Sequence, residues 1–172
     1  MDQPIIRVAL IEDHPEYRET IKMALLRETD LELTDSFGTA ERALKSLKTA
    51  SPAPDILLID LSLPGTDGLT ALREFRVILP NAKMIILTQS ESEQDVIRAI
   101  AMGASGYLLK SSTVHQITDG IRSALKGGVP LDPTMAQYVV DTLRTKLPKN
   151  ERNLLSPREM QVMELLLSLI HI

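Results

Sequence analysis

The stretch Asp55-Ile56-Leu57-Leu58-Ile59-Asp60-Leu61-Ser62-Leu63-Pro64-Gly65-Thr66-Asp67-Gly68 decides the fold. Its apolar run Ile56–Ile59 has no polar face, so both of its faces must be buried. The run stops at a carboxylate and passes into a turn with two glycines. The period then changes: Leu69, Leu72, Phe75 and Leu79 are spaced for one face of a helix that ends before Pro80. A buried strand, a loop and an amphipathic helix in that order form the unit of a parallel sheet.

The same unit recurs on both sides. Ile5–Ile11 stops at Glu12-Asp13 and precedes a helix from Pro15 to about Glu28. Met84–Leu87 stops at Thr88 and precedes a helix capped by Ser92, running to Met102 and stopped by Gly103. Tyr107–Leu109 stops at Lys110 and precedes a helix from about Thr113 to Lys126. Leu31, Leu33 and Phe37 alternate with polar residues, which suits an edge strand, and residues 39–50 follow as a helix. Five strands alternating with five helices predict an α/β, flavodoxin-like, doubly wound parallel sheet of order 2-1-3-4-5. Its switch point lies between strands 1 and 3.

The 172 residues carry a formal charge of −4, 44% hydrophobic residues and only 3% aromatics, so the core is aliphatic. A mildly acidic chain is not a nucleic-acid binder by bulk charge. Cys is absent, which excludes disulfides and thiolate metal sites. No apolar window long enough for a membrane span occurs, and Met1-Asp2-Gln3-Pro4 lacks a basic signal region, so the expectation is a cytoplasmic protein.

In this sheet order the four polar stops share the carboxyl edge, where open α/β sheets bind ligands. Three carboxylates (Glu12, Asp13, Asp60), the Thr88 hydroxyl and the Lys110 ammonium then form a Mg²⁺ and phosphoryl site. A carboxylate can attack phosphorus to give an acyl phosphate. The obstacle is charge, and Mg²⁺, a cation preferring oxygen ligands, removes it. Taken singly, Thr88 reads as a β-branched strand end, Tyr107 as a packed aromatic and Lys110 as a surface lysine. His14 reads as a solvated loop residue, because no second His or Cys is near. Asp67 reads as the cap of the helix starting near Gly68.

Four stretches resemble the receiver domain of bacterial two-component response regulators. They are Ile11-Glu12-Asp13-His14-Pro15, Ile59 to Gly68, Leu87-Thr88, and Gly106-Tyr107-Leu108-Leu109-Lys110-Ser111, in order over roughly residues 5–126. The resemblance implies that Asp60 is the phosphoacceptor. Glu12, Asp13, Asp60 and the backbone carbonyl of Ser62 would hold Mg²⁺. Lys110 and Thr88 would contact the phosphate, and Thr88 and Tyr107 would form a switch pair, Tyr107 turning inward on phosphorylation. It further implies a sensor histidine kinase as donor, a homodimer when phosphorylated, and no enzymatic turnover. Two rivals stand beside it. A Mg²⁺ phosphohydrolase would place an acid two residues after its nucleophile, where this chain has Ser62. An FMN-binding flavodoxin would need a neutral phosphate loop where this chain has Glu12-Asp13.

Beyond Gly128 the pattern changes. Asp132-Pro133 opens a helix to about Lys146, and Pro148 to Asn153 is a polar linker. Ser156-Pro157-Arg158-Glu159 is a capping box before Met160, Val162, Met163, Leu165 and Leu166. Leu155-Ser156-Pro157-Arg158-Glu159 extends the resemblance to the NarL/FixJ subgroup, whose members end in a LuxR-type helix-turn-helix. The expected division is 1–127 receiver, 128–153 helical linker and 154–172 the start of a truncated helix-turn-helix domain. Residues 167–172 depart from that pattern, and DNA would be met only through a recognition helix missing from the chain.

Overall fold

The computed structural model of the protein describes residues 4–146. The readings of residues 147–172 as linker and helix-turn-helix start lie outside the described residues. The strands are β1 (Ile6–Ile11), β2 (Leu31–Phe37), β3 (Ile56–Ile59), β4 (Lys83–Thr88) and β5 (Gly106–Leu109). The helices are α1 (Pro15–Leu25), α2 (Ala40–Leu47), α3 (Gly68–Ile78), α4 (Glu93–Ala101), α5 (Val114–Leu125) and α6 (Pro133–Lys146). The strands pair in parallel in the order β2-β1-β3-β4-β5, as the sequence predicts.

The two-residue period of the strands sorts the core into two layers. Ala9, Ile11, Leu57, Ile59, Met84, Ile86, Tyr107 and Leu109 pack with Ala43, Leu72, Phe75 and Val96 of α2, α3 and α4. Val8, Leu10, Ile56, Leu58, Ile85, Leu87 and Leu108 pack with Ile21, Leu25, Ile117 and Ile121 of α1 and α5. Register then sets the site: Ile11 lies beside Ile59, Ile59 beside Ile86, and Thr88 beside Leu109. The polar stop of each strand therefore leaves the sheet at the same edge.

Helix ends follow local chemistry. Ser92 and Asp67 cap α4 and α3 through side-chain oxygens, as expected. Thr113 and Gln116 form a capping box on α5. Gly103 sits at φ 93°, a left-handed conformation that only glycine adopts cheaply. Helix α1 ends at Leu25, short of the expected Glu28. The reason lies downstream. Arg122 of α5 donates to Asp30 at 2.7 and 2.8 Å and to Glu28 at 2.5 Å, fixing the turn that leads into β2. Helix α2 likewise stops at Leu47, short of residue 50. Lys48 caps it, and Pro52 and Pro54 follow soon after.

After α5 a short strap covers the open edge of β5. Tyr107 N–H donates to Pro130 O at 2.9 Å, and Asp132 N–H donates to Tyr107 O at 3.2 Å. Leu131 forms a parallel bridge with Tyr107. The strap runs this close because Gly106 has no side chain. A Cβ there would stand 2.6 Å from Pro130 Cγ. Beyond the strap, α6 packs against α4, and Met135, Tyr138 and Val139 join the core on that side.

Two expectations follow. Gly106→Ala should push the strap off β5 and speed amide hydrogen exchange along α6, leaving exchange in β1 and β3 unchanged; uniform protection would refute this. The Arg122 guanidinium holds Asp30 below the ordinary carboxylate value of 3.8. A lowered folded pKa adds stability above the unfolded value and loses it as pH falls through the folded one. Arg122→Ala should thus cost about 1–2 kcal/mol at neutral pH, allowing for partial exposure. In urea titrations the gap from wild type should shrink as pH drops below about 4, and a pH-independent gap would refute the pairing.

Candidate functional site

Each strand-end residue is pinned by one extra ladder bond. Glu12 N–H donates to Phe37 O at 2.9 Å, Asp60 N–H to Ile11 O at 3.0 Å, and Lys110 N–H to Thr88 O at 2.8 Å. The loop after Asp60 then folds back on itself, and Gly68 N–H donates to Leu61 O at 3.1 Å. A Cβ at Gly68 would collide with Asp60 O and Leu61 Cα, so only glycine allows this approach.

The side chains converge. Glu12 and Asp60 are 1% and 2% exposed, and Lys110 brings its ammonium between them with a side chain only 7% exposed. Lys110 Nζ lies 2.9 Å from Asp60 Oδ2 and 2.5 Å from Glu12 Oε2. Burial opposes the Lys110 charge, but Glu12 and Asp60 outweigh it and its pKa is raised. Ser62 N–H donates to Asp60 Oδ1 at 3.2 Å. Glu12, Asp13, His14 and Asp60 each offer a ligand atom, all within 4.8 Å of one another. Among the described residues, Asp13 Oδ1 is buried without accepting a hydrogen bond. It meets His14 Nδ1 at 2.8 Å as an ion pair.

The structure thus brings together Glu12, Asp13, Asp60 and Lys110, and places Ser62 at Asp60 through its N–H. Thr88 and Tyr107 form a second group, joined through Ser90. Thr88 is fully buried, and its Oγ1 accepts the Ser90 N–H at 3.3 Å. Tyr107 donates its hydroxyl to Ser90 O at 2.9 Å. Ser90 Oγ donates to Asp95 Oδ2 at 2.6 Å, tying the loop to α4. Burial pushes the Tyr107 phenol up to about 12, so it stays a neutral donor. The Tyr107 ring points inward and is fully buried in this structure. A packed ring with a bonded hydroxyl is the lower-energy place for a tyrosine in a core this poor in aromatics.

Three participants escaped the sequence reading. His14 joins the acidic group: its Nδ1 lies 3.0 Å from Glu12 Oε1, and its N–H donates to the same oxygen at 3.0 Å. Paired first with Glu12 and then with Asp13, its imidazole has a raised pKa. Arg18, one turn further along α1, donates to Glu12 O at 2.5 Å and Asp13 O at 3.1 Å, holding the loop that presents both acids. Its basic charge at the start of the helix that follows the two acids was the available signal. Ser90 had none, since its role depends on the β4–α4 loop conformation.

Comparison with known proteins identifies the family. The response regulator receiver domain family matches residues 8–122. The uncharacterized transcriptional regulatory protein YxjL of Bacillus subtilis is 32% identical over 168 residues, covering 95% of this chain and 76% of that protein. The nitrate/nitrite response regulator protein NarL of Escherichia coli K12 is 28% identical, covering 92% and 74%. A crystal structure of a LuxR-family two-component response regulator from Aurantimonas sp. SI85-9A1 superposes with a TM-score of 0.74 at 28% identity, covering 81% of this chain and 99% of that one. The chain belongs to the response regulator receiver domain family, within its NarL/LuxR branch. These matches do not favour the phosphohydrolase or flavodoxin readings. Among the described residues no helix is long and apolar enough to cross a membrane.

Removing the buried ammonium leaves two buried carboxylates facing each other. Lys110→Met is expected to destabilise the fold by about 3–5 kcal/mol in chemical denaturation. A loss below about 1 kcal/mol would mean that water already solvates these groups.

Proposed function

We propose that Asp60 is the phosphoacceptor of this response regulator and that its phosphorylation controls transcription. The observation that carries this reading is the buried Asp60 carboxylate, held by Lys110 and the Ser62 N–H beside Glu12 and Asp13. The donor is a phosphohistidine of a sensor kinase or a small acyl phosphate. An Asp60 oxygen attacks phosphorus, and the phosphorus bond to the histidine nitrogen breaks. Its electron pair stays with the imidazole, leaving an acyl phosphate on Asp60.

The donor set fits a hard cation, because it is mainly carboxylate oxygen and includes the buried Asp13 Oδ1, which accepts no hydrogen bond among the described residues. Glu12, Asp13, Asp60 and the Ser62 carbonyl would hold Mg²⁺. When bound, Mg²⁺ neutralises the charge between the acids and an incoming phosphoryl group. Arg18 keeps the Glu12-Asp13 backbone in place. Lys110 moves from Asp60 Oδ2 to a phosphoryl oxygen.

Thr88 is the moving part of the switch. To reach the phosphoryl group it must release the Ser90 N–H, and Tyr107 holds the carbonyl of the same residue. The β4–α4 loop therefore reports the phosphoryl group to α4 and to the face it forms with β5 and α5. The phosphate is a signal here and not a step in turnover. Residues 1–127 act as the receiver, 128–153 as linker and 154–172 as the start of a LuxR-type DNA-binding domain. The phosphorylated protein forms a homodimer in the cytoplasm.

The test is intact-mass measurement after incubation with acetyl phosphate and Mg²⁺. Wild type should gain one phosphoryl group and Asp60→Asn none. Uptake by the variant at the same position would sink the assignment, and rapid hydrolysis of phosphomonoesters would point to an enzyme instead.

A further inference from the structure

Tyr17 is a side chain that the chemistry above leaves without a task. It lies in the first turn of α1 and packs against the core between the sheet, α1 and α5. The Lys110 ammonium stands 4.9 Å from the centroid of its ring. That lies inside the roughly 6 Å range of a cation–π contact, which is strongest where both groups are screened from water. Its hydroxyl is buried and, among the described residues, has no hydrogen-bond partner. Burial raises the phenol pKa, and the charges of Glu12 and Asp60 add to the rise, so the group stays neutral. A buried O–H with no acceptor costs stability. Whatever this position contributes must come from the ring.

We propose that Tyr17 is a positioning residue for Lys110, its ring being the seat on which the ammonium shifts from Asp60 to a phosphoryl oxygen. The second half of this statement rests on the reading of Asp60 as phosphoacceptor. Lys110 meets two carboxylates and one aromatic ring. The carboxylate contact at Asp60 Oδ2 is directional and is lost when that carboxylate becomes an acyl phosphate. A π face attracts a cation over its whole area with little directional demand. The ring therefore holds the ammonium at the site while its partner changes. An aliphatic side chain of similar size would fill the same space and give no such hold.

The experiment compares Tyr17→Phe and Tyr17→Leu with wild type. The first readout is the proton shift of the Lys110 ε-methylene in ¹³C–¹H NMR, which a neighbouring ring moves upfield. The second is the rate of phosphorylation by acetyl phosphate with Mg²⁺. Tyr17→Phe should keep the upfield shift and the rate, and should be as stable as wild type or more so. Tyr17→Leu should lose the shift and phosphorylate about tenfold more slowly, while melting cooperatively. If the Leu variant does not fold, Tyr17→Met supplies the same aliphatic comparison. An unchanged Lys110 shift in the aliphatic variant, or an unchanged rate, would overturn the proposal. If wild type takes up no phosphoryl group, the reading of Asp60 fails, and the NMR comparison still decides whether the ring seats the lysine.

Discussion

One ammonium between two buried carboxylates governs this structure. Parallel register brings Glu12 and Asp60 out of adjacent strands at the same edge, where both are almost fully shielded from water. Two like charges within 4.8 Å repel by roughly 3 kcal/mol at an effective dielectric of 20. Each ion also loses several kcal/mol of hydration. Lys110, at 2.9 Å and 2.5 Å, answers these two acids and leaves Asp13 over. Three carboxylates against one buried ammonium leave negative charge at the edge, and the exposed His14 offsets it only from the mouth. The cluster therefore keeps an unbalanced negative charge that Lys110 alone does not neutralise.

The fold supplies this arrangement at little cost in irregular backbone. The ladder continues one residue past β1, β3 and β5, so the acids and the lysine are held as firmly as strand residues. Gly68 lets the loop after Asp60 close tightly enough for the Ser62 N–H to meet the carboxylate. Arg18 satisfies the carbonyls of Glu12 and Asp13 from α1. The Asp60 carboxylate, held on both oxygens, has one orientation available.

The legibility of these parts in the sequence follows the range of the interactions. Ile56–Ile59 could be read as a buried strand because its pattern is local, and the sheet order followed from the alternation of such runs with helices. Asp60 and Lys110 stood out because each ends an apolar run. Asp67, Ser92 and Gly103 cap or stop helices through neighbours a few residues away, so their roles were visible too. The end of α1 was not, because it depends on Arg122, far along the chain. Tyr17 and Ser90 were hidden for the same reason. One faces a lysine brought in by β5, and the other takes its role from a loop whose path no local pattern specifies.

Tyr107 shows why the site and the surface cannot move independently. Its hydroxyl holds the carbonyl of Ser90, whose N–H is bonded to Thr88 and whose hydroxyl is bonded to Asp95 of α4. Its backbone holds the strap on both sides, through Pro130 and Asp132. The strap leads directly into α6, which packs on α4. The β4–α4 loop and the start of α6 are therefore two arms of one residue, and α4 touches both. Close packing transmits a displacement in place of absorbing it. If Thr88 pulls on Ser90, α4 and β5 must adjust together, and α6 rests on the first while its strap is bonded to the second. The aromatic side chain that reads as core filler in the sequence is the joint between the acidic edge and α6.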